Sequence, residues 1–123
     1  MKKPASILIV EDDGLIAMQL QEFLKRSGYD VPDPVASGEE AIESVNARLP
    51  DLVLMDIRLG GEIDGIEAAR QIRKAVSVPV IFLTAHTDMN DLSRTRQVRA
   101  SGCIAKPFIE DDVLAAIGKA LRR

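Results

Sequence analysis

The 123-residue sequence predicts an α/β fold, an open parallel sheet with helices packed on both faces. Three observations predict it. Short apolar runs recur along the chain without alternating polar residues. Stretches of helical periodicity separate them. Unusual polar residues follow the runs, always at the C-terminal end. Continuous apolar runs indicate strands buried on both faces, which requires helices on both sides. Their alternation with helices at this spacing gives five βα units joined by right-handed crossovers.

The elements follow in order. Ile7-Leu8-Ile9-Val10, Leu52-Val53-Leu54-Met55 and Val80-Ile81-Phe82-Leu83 are the clear strands, and Cys103-Ile104-Ala105 is a weaker one. A fifth candidate, Val31 to Val35, holds Pro32 and Pro34, so it is an edge strand or less, because each proline removes a ladder donor. Ile16, Leu20, Phe23 and Leu24 share one face of a helix that ends near Ser27-Gly28. Ser37 followed by Glu40 has the form of a capping box, opening a helix with Ala41, Ile42, Val45 and Leu49 inward. Asp64-Gly65 opens a third helix with Ile66, Ala69 and Ile72 inward. Met89 to Ala100 is the poorest helix: Leu92 and Val98 are its main apolar anchors, and Arg94, Arg96 and Arg99 crowd it. Such weak anchoring suits a moving element and equally a solvated helix. The last helix starts near Asp111, with Val113, Leu114, Ile117 and Leu121 inward.

Composition narrows the function classes. At this length a single domain, residues 1–123, is expected, with no repeat or linker inside it. Net charge is −3 and aromatics are 3%, which argues against direct contact with nucleic acid. One cysteine and one histidine exclude a disulfide framework and a zinc site built from either residue. No segment has the apolar length to cross a membrane, and Met1-Lys2-Lys3-Pro4 does not lead a signal peptide, so a cytoplasmic protein is expected.

In open α/β sheets, ligands bind beyond the carboxyl ends of the strands. The first strand runs into Glu11-Asp12-Asp13, the next clear one into Asp56, the next into Thr84-Ala85 and the last into Lys106-Pro107. If the strands before Asp12 and Asp56 are neighbours, the carboxylates of Asp12, Asp13 and Asp56 converge on one crevice bordered by Thr84 and Lys106. Converging carboxylates repel, and a divalent cation removes the conflict; an all-oxygen donor set suits Mg²⁺ or Mn²⁺. Lysine beside such an ion is a point-charge partner for phosphate, and a threonine hydroxyl can donate to a phosphoryl oxygen. The chemistry indicated is phosphoryl transfer to a carboxylate nucleophile. Singly, each residue has an ordinary reading as a cap, turn or loop. Their placement at the same end of successive strands is what points to a site. Cys103 reads as a small buried hydrophobe, and His86 as a loop residue near the site.

At these residues the chain resembles a response-regulator receiver domain of two-component signalling. The matching segments are Ile7 to Asp13, Asp51 to Asp56, Asp64-Gly65, Pro79 to Ala85 and Lys106-Pro107-Phe108. The resemblance implies a flavodoxin-like (βα)5 fold, a doubly wound parallel sheet of five strands in the order 2-1-3-4-5. It implies Asp56 as phosphoacceptor, Asp13 as a direct Mg²⁺ ligand, Asp12 acting through a metal-bound water, and the backbone carbonyl of Arg58 as a further ligand. Lys106 would pair with the phosphoryl group and Thr84 would report it. The donor would be a sensor histidine kinase or a histidine phosphotransfer protein. An unidentified downstream protein would read the switch, with the chain a monomer or weak homodimer.

The chain departs from the family pattern in three places. Cys103 stands where many receivers have an aromatic residue, three positions before the lysine. The segment from Asp56 to Asp64 is one residue longer than the common pattern, and Gly60-Gly61 replaces the usual proline region. Arg58 and His86 flank the phosphoryl position and should tune its lifetime. Two other readings fit less of the sequence: a pseudo-receiver that binds partners without phosphorylation, and a metal-dependent hydrolase or topoisomerase-type domain using an acidic triad.

Overall fold

The computed structural model describes residues 3–85 and 89–122. His86 therefore lies outside the described residues. The order of elements is β1 (Ile7–Val10), α1 (Gly14–Arg26), α2 (Gly38–Ala47), β2 (Leu52–Asp56), α3 (Gly65–Ala75), β3 (Val80–Thr84), α4 (Met89–Gln97), β4 (Gly102–Ala105) and α5 (Glu110–Leu121). The strands form one parallel sheet in the order β1-β2-β3-β4.

The expected five-stranded sheet of order 2-1-3-4-5 is thus corrected to four strands. Residues 30–35 do run beside β1 and Val31 packs into its core, but among the described residues the pairing there is limited to the isolated bridges Ser6↔Asp30 and Val10↔Val35. The Val35 amide donates to Ile9 at 3.0 Å and the Ile7 amide to Asp30 at 2.9 Å. Between these points Pro32 and Pro34 have no amide hydrogen to give, so no continuous ladder forms.

Side-chain alternation splits the core into two layers. Ile7, Ile9, Leu52, Leu54, Ile81 and Leu83 face α1 and α5. Leu8, Val10, Val53, Met55, Val80 and Phe82 face α2 and α3, with Val98 beyond the end of α4. Both faces of β1, β2 and β3 are buried throughout, which is why these strands carry no polar alternation. β4 differs. As an edge strand it buries only Ile104, and Cys103 is exposed rather than buried as expected.

Local capping matches the sequence signals. Asp13, Ser37 and Asp64 cap α1, α2 and α3, each accepting from a first-turn amide. The capping box at α2 is half formed: the Glu40 amide donates to Ser37 Oγ at 3.1 Å, while the Glu40 carboxylate accepts from the Ser37 hydroxyl at 3.2 Å. Leu49 lies past the end of α2 and is 54% exposed, not part of its inward stripe. α4 is held differently from the others. Among its described residues Asp91 and Thr95 are the buried positions, with Val98 just past its end, so polar residues occupy the face that the other helices give to apolar ones.

Asp64 does double duty. Its Oδ1 accepts from the Glu67 amide at 2.9 Å, and its Oδ2 pairs with Arg94 of α4 at 2.8 Å. Burial alone would raise its pKa, but Arg94 and the amides of Glu67 and Ile66 outweigh burial and hold it below 3.8. A lowered carboxylate contributes stability that is present above its unfolded pKa and lost as pH falls through the folded value. Asp64→Ala should cost about 1–2 kcal/mol at neutral pH, as lost caps do. The gap to wild type should narrow below pH 3.8. Urea denaturation at both pH values measures it, and a gap independent of pH would mean that the charge of Asp64 contributes nothing.

Candidate phosphoryl-transfer site

The site is built by strand register. Val10 pairs with Met55 across β1 and β2, so the next step places Glu11 opposite Asp56. β3 sets Leu83 beside Asp56, with Thr84 one residue further. β4 pairs Ala105 with Thr84, and Lys106 follows directly, its amide donating to the Thr84 carbonyl at 2.8 Å. Four chain segments thus deliver their next residues to the same end of the sheet.

Glu11, Asp12 and Asp56 form the acidic cluster: one carboxylate oxygen from each lies within 4.8 Å of the other two. Glu11 and Asp56 are buried and Asp12 is exposed. Lys106 Nζ donates to Glu11 Oε1 at 2.7 Å and lies 3.3 Å from Asp56 Oδ2. The other oxygen of Asp56, Oδ1, accepts from the Arg58 amide at 3.3 Å. Thr84 is buried beside them.

The electrostatics follow from that crowding. Burial pushes the Glu11 carboxyl above its ordinary value; Lys106 opposes the shift, while the hydrogen bond and charge of Asp56 add to it. Burial would lower the Lys106 ammonium, but Glu11 and Asp56 together outweigh burial and raise it. Lys106 is therefore charged at neutral pH, and one lysine serves two buried carboxylates. A divalent cation held by oxygen ligands would supply the remaining positive charge.

Asp56, Asp12, Lys106 and Thr84 meet as the sequence suggested. Asp13 does not join them. Its Oδ1 accepts from the amides of Leu15 and Ile16 at 3.0 and 3.2 Å, so its carboxylate caps α1 instead of facing the cluster. Glu11 is the residue that sequence reasoning missed. Its signal was present: Glu11 keeps the side-chain parity of Ile7 and Ile9, which is also the parity of Leu54 and Asp56. In addition, the last acid before a helix is the natural cap. The long loop after Asp56 is anchored as well. Gly61 takes φ 100°, a conformation suited to glycine, and the Glu62 amide donates to Glu39 of α2 at 3.1 Å.

A strand-end carboxylate beside an acidic pair, a lysine and a threonine, on a four-stranded parallel α/β scaffold, defines a class that the comparisons identify. The family model of the response regulator receiver domain matches residues 7–118, and the chain belongs to that family. It is 37% identical over 120 residues to the transcriptional regulatory protein PdtaR of Mycobacterium tuberculosis, covering 98% of this chain and 58% of that protein. It is 42% identical over 119 residues to the uncharacterized transcriptional regulatory protein YrkP of Bacillus subtilis, covering 95% of this chain and 49% of that protein. Among solved structures, the BeF3-activated N-terminal receiver domain of Klebsiella pneumoniae RstA superposes with a TM-score of 0.87 at 32% identity, covering 96% of this chain and 99% of that one. The chain spans about half the length of the curated relatives it matches. No described helix is long and apolar enough to cross a membrane.

Proposed function

We propose that residues 1–123 form one receiver domain in which Asp56 accepts a phosphoryl group from a phosphohistidine. The donor is a sensor histidine kinase or a histidine phosphotransfer protein in the cytoplasm. The observation that carries this reading is the placement of Lys106 Nζ, 2.7 Å from Glu11 and 3.3 Å from Asp56. It puts a fixed positive charge where a phosphoryl oxygen would arrive.

Mg²⁺, or Mn²⁺ in its place, fits the oxygen donors of Glu11, Asp12 and Asp56, with the Arg58 backbone carbonyl as a further ligand. When bound, the ion neutralises carboxylate and phosphoryl charge together. In the transfer an Asp56 oxygen bonds to phosphorus as the phosphorus–nitrogen bond breaks. The imidazole leaves with that electron pair and takes up a proton. Positioning and charge neutralisation, more than covalent machinery, set the rate of such transfers. Lys106 pairs with the developing phosphoryl charge, and Thr84 donates to a phosphoryl oxygen. The chain catalyses its own phosphorylation and slower hydrolysis, and a downstream protein or further domain reads the changed surface. The negative net charge supports a protein rather than a nucleic acid as direct partner. Monomer and weak homodimer both fit this reading.

The expected result is one phosphoryl adduct per chain by intact mass after incubation with acetyl phosphate and Mg²⁺. The adduct should be absent without the metal and in Asp56→Asn. An adduct undiminished in Asp56→Asn would move the nucleophile elsewhere, and none in wild type would leave a binding module with this fold.

A further inference from the structure

Two arginines and two carboxylates tie α4 to the rim of the site. Arg58 Nη2 lies 2.6 Å from Asp91 Oδ2 in the first turn of α4. One turn later, Arg94 lies 3.7 Å from Asp91 Oδ1 and 2.8 Å from Asp64 Oδ2. The Asp91 side chain is only 8% exposed, whereas that of Arg58 is 62% exposed. Asp91 is thus a buried charge that depends on its cations, and Arg58 reaches it from a largely exposed position. The inner face of α4 carries Asp91 and Thr95 where other helices bury aliphatic residues, so among the described residues the ion pair is an attachment of its N-terminal turn.

Arg58 is also two residues from Asp56, and its own amide already bonds Asp56 Oδ1. The side chain starts beside the position of a new phosphoryl group but is spent on Asp91. A phosphoryl group brings about two negative charges and oxygens that match a guanidinium fork better than one carboxylate does. We infer that phosphorylation of Asp56 draws Arg58 away from Asp91, and that this exchange carries the signal from the site to α4. The inference rests on the phosphoacceptor reading. Once Arg58 leaves, Asp91 keeps only the longer contact to Arg94 among the described residues, and Arg94 is shared with Asp64. The first turn of α4 loosens and its outer surface changes. The route passes through Arg58 and Asp91 and needs no bulky residue at the exposed Cys103. Asp91 acts here as a positioning residue for Arg58.

Coupling of this kind is reciprocal. Asp91 competes with the phosphoryl group for Arg58, so removing Asp91 should strengthen phosphoryl-analogue binding. The test is titration with Mg²⁺ and beryllofluoride, followed by amide chemical shifts. Asp91→Asn should bind the analogue about tenfold more tightly than wild type. In an Arg58→Gln background the same change should alter affinity by less than about twofold. Asp91→Glu should restore wild-type affinity. A second measurement does not depend on Asp91 variants folding: beryllofluoride should speed amide exchange across α4 about tenfold in wild type and not in Arg58→Gln. Equal tightening in both backgrounds, or α4 exchange that rises undiminished in Arg58→Gln, overturns the exchange and leaves the phosphoacceptor reading intact. A wild-type chain that binds no beryllofluoride overturns both.

Discussion

Gly65→Ala is expected to cost about 3 kcal/mol or more of folding stability, at the upper end of overpacking effects. A β-carbon at this position would fall 2.0 Å from the Asp56 carbonyl oxygen and 2.9 Å from Met55 Cγ. Neither neighbour can give way. The carbonyl belongs to the end of β2, and Met55 is fully buried. The Gly65 amide also donates to the Ile57 carbonyl at 2.9 Å, so α3 starts in contact with the loop that follows Asp56. Relief of the clash must push α3 from the sheet or shift the backbone at Asp56. The melting temperature should fall by about 10 °C, and phosphorylation of the surviving folded chain should slow. Gly118→Ala is the control. Nothing lies within 4 Å of its would-be β-carbon in α5, so it should be neutral or stabilising by up to about 1 kcal/mol. Equal melting of the two variants would show that Gly65 is not there for close approach.

Lys106→Met should act in opposite directions on the two partners of the site. It removes the positive charge that Glu11 and Asp56 share, 2.7 and 3.3 Å away. The acidic cluster then attracts a divalent cation more strongly, so Mg²⁺ affinity should stay the same or rise. Transfer should slow by about a hundredfold or more, the scale on which a fixed electrostatic partner of the transition state contributes. Without metal the variant should also be less stable, because two buried carboxylates face each other with no cation between them. Titration with Mg²⁺ and the rate of adduct formation separate these effects. Loss of Mg²⁺ binding together with transfer would mean that Lys106 only maintains the shape of the pocket.

Much of the fold is legible in the sequence because burial on both faces leaves an unmistakable trace. β1, β2 and β3 read as unbroken apolar runs and are buried throughout. The edges are where the reading weakens. Residues 31–35 have strand composition, but two prolines leave only isolated bridges. Cys103 reads as interior from its residue type, but an edge strand hides only one face and leaves it exposed. α4 reads as poorly anchored because its inner face uses Asp91 and Thr95: Asp91 is held by Arg58, 33 residues away, which no local periodicity reveals, and the Thr95 hydroxyl donates within the helix to the Leu92 carbonyl. The site shows the same division. Strand-end position picks out Asp56, Thr84 and Lys106, but choosing among Glu11, Asp12 and Asp13 needs register. Side-chain parity turns Glu11 toward Asp56, and the helix claims Asp13 as its cap.

Locating the phosphoryl group on the chain tests directly whether Asp56 is the phosphoacceptor. An acyl phosphate is reduced by borohydride to an alcohol, which turns the modified aspartate into homoserine while other carboxylates are untouched. Peptide mass mapping after phosphorylation with acetyl phosphate and Mg²⁺ then reads the position. Homoserine is expected at position 56 alone. Homoserine at position 12 or 13 with Asp56 intact, or a phosphorylated chain that yields none, would contradict it.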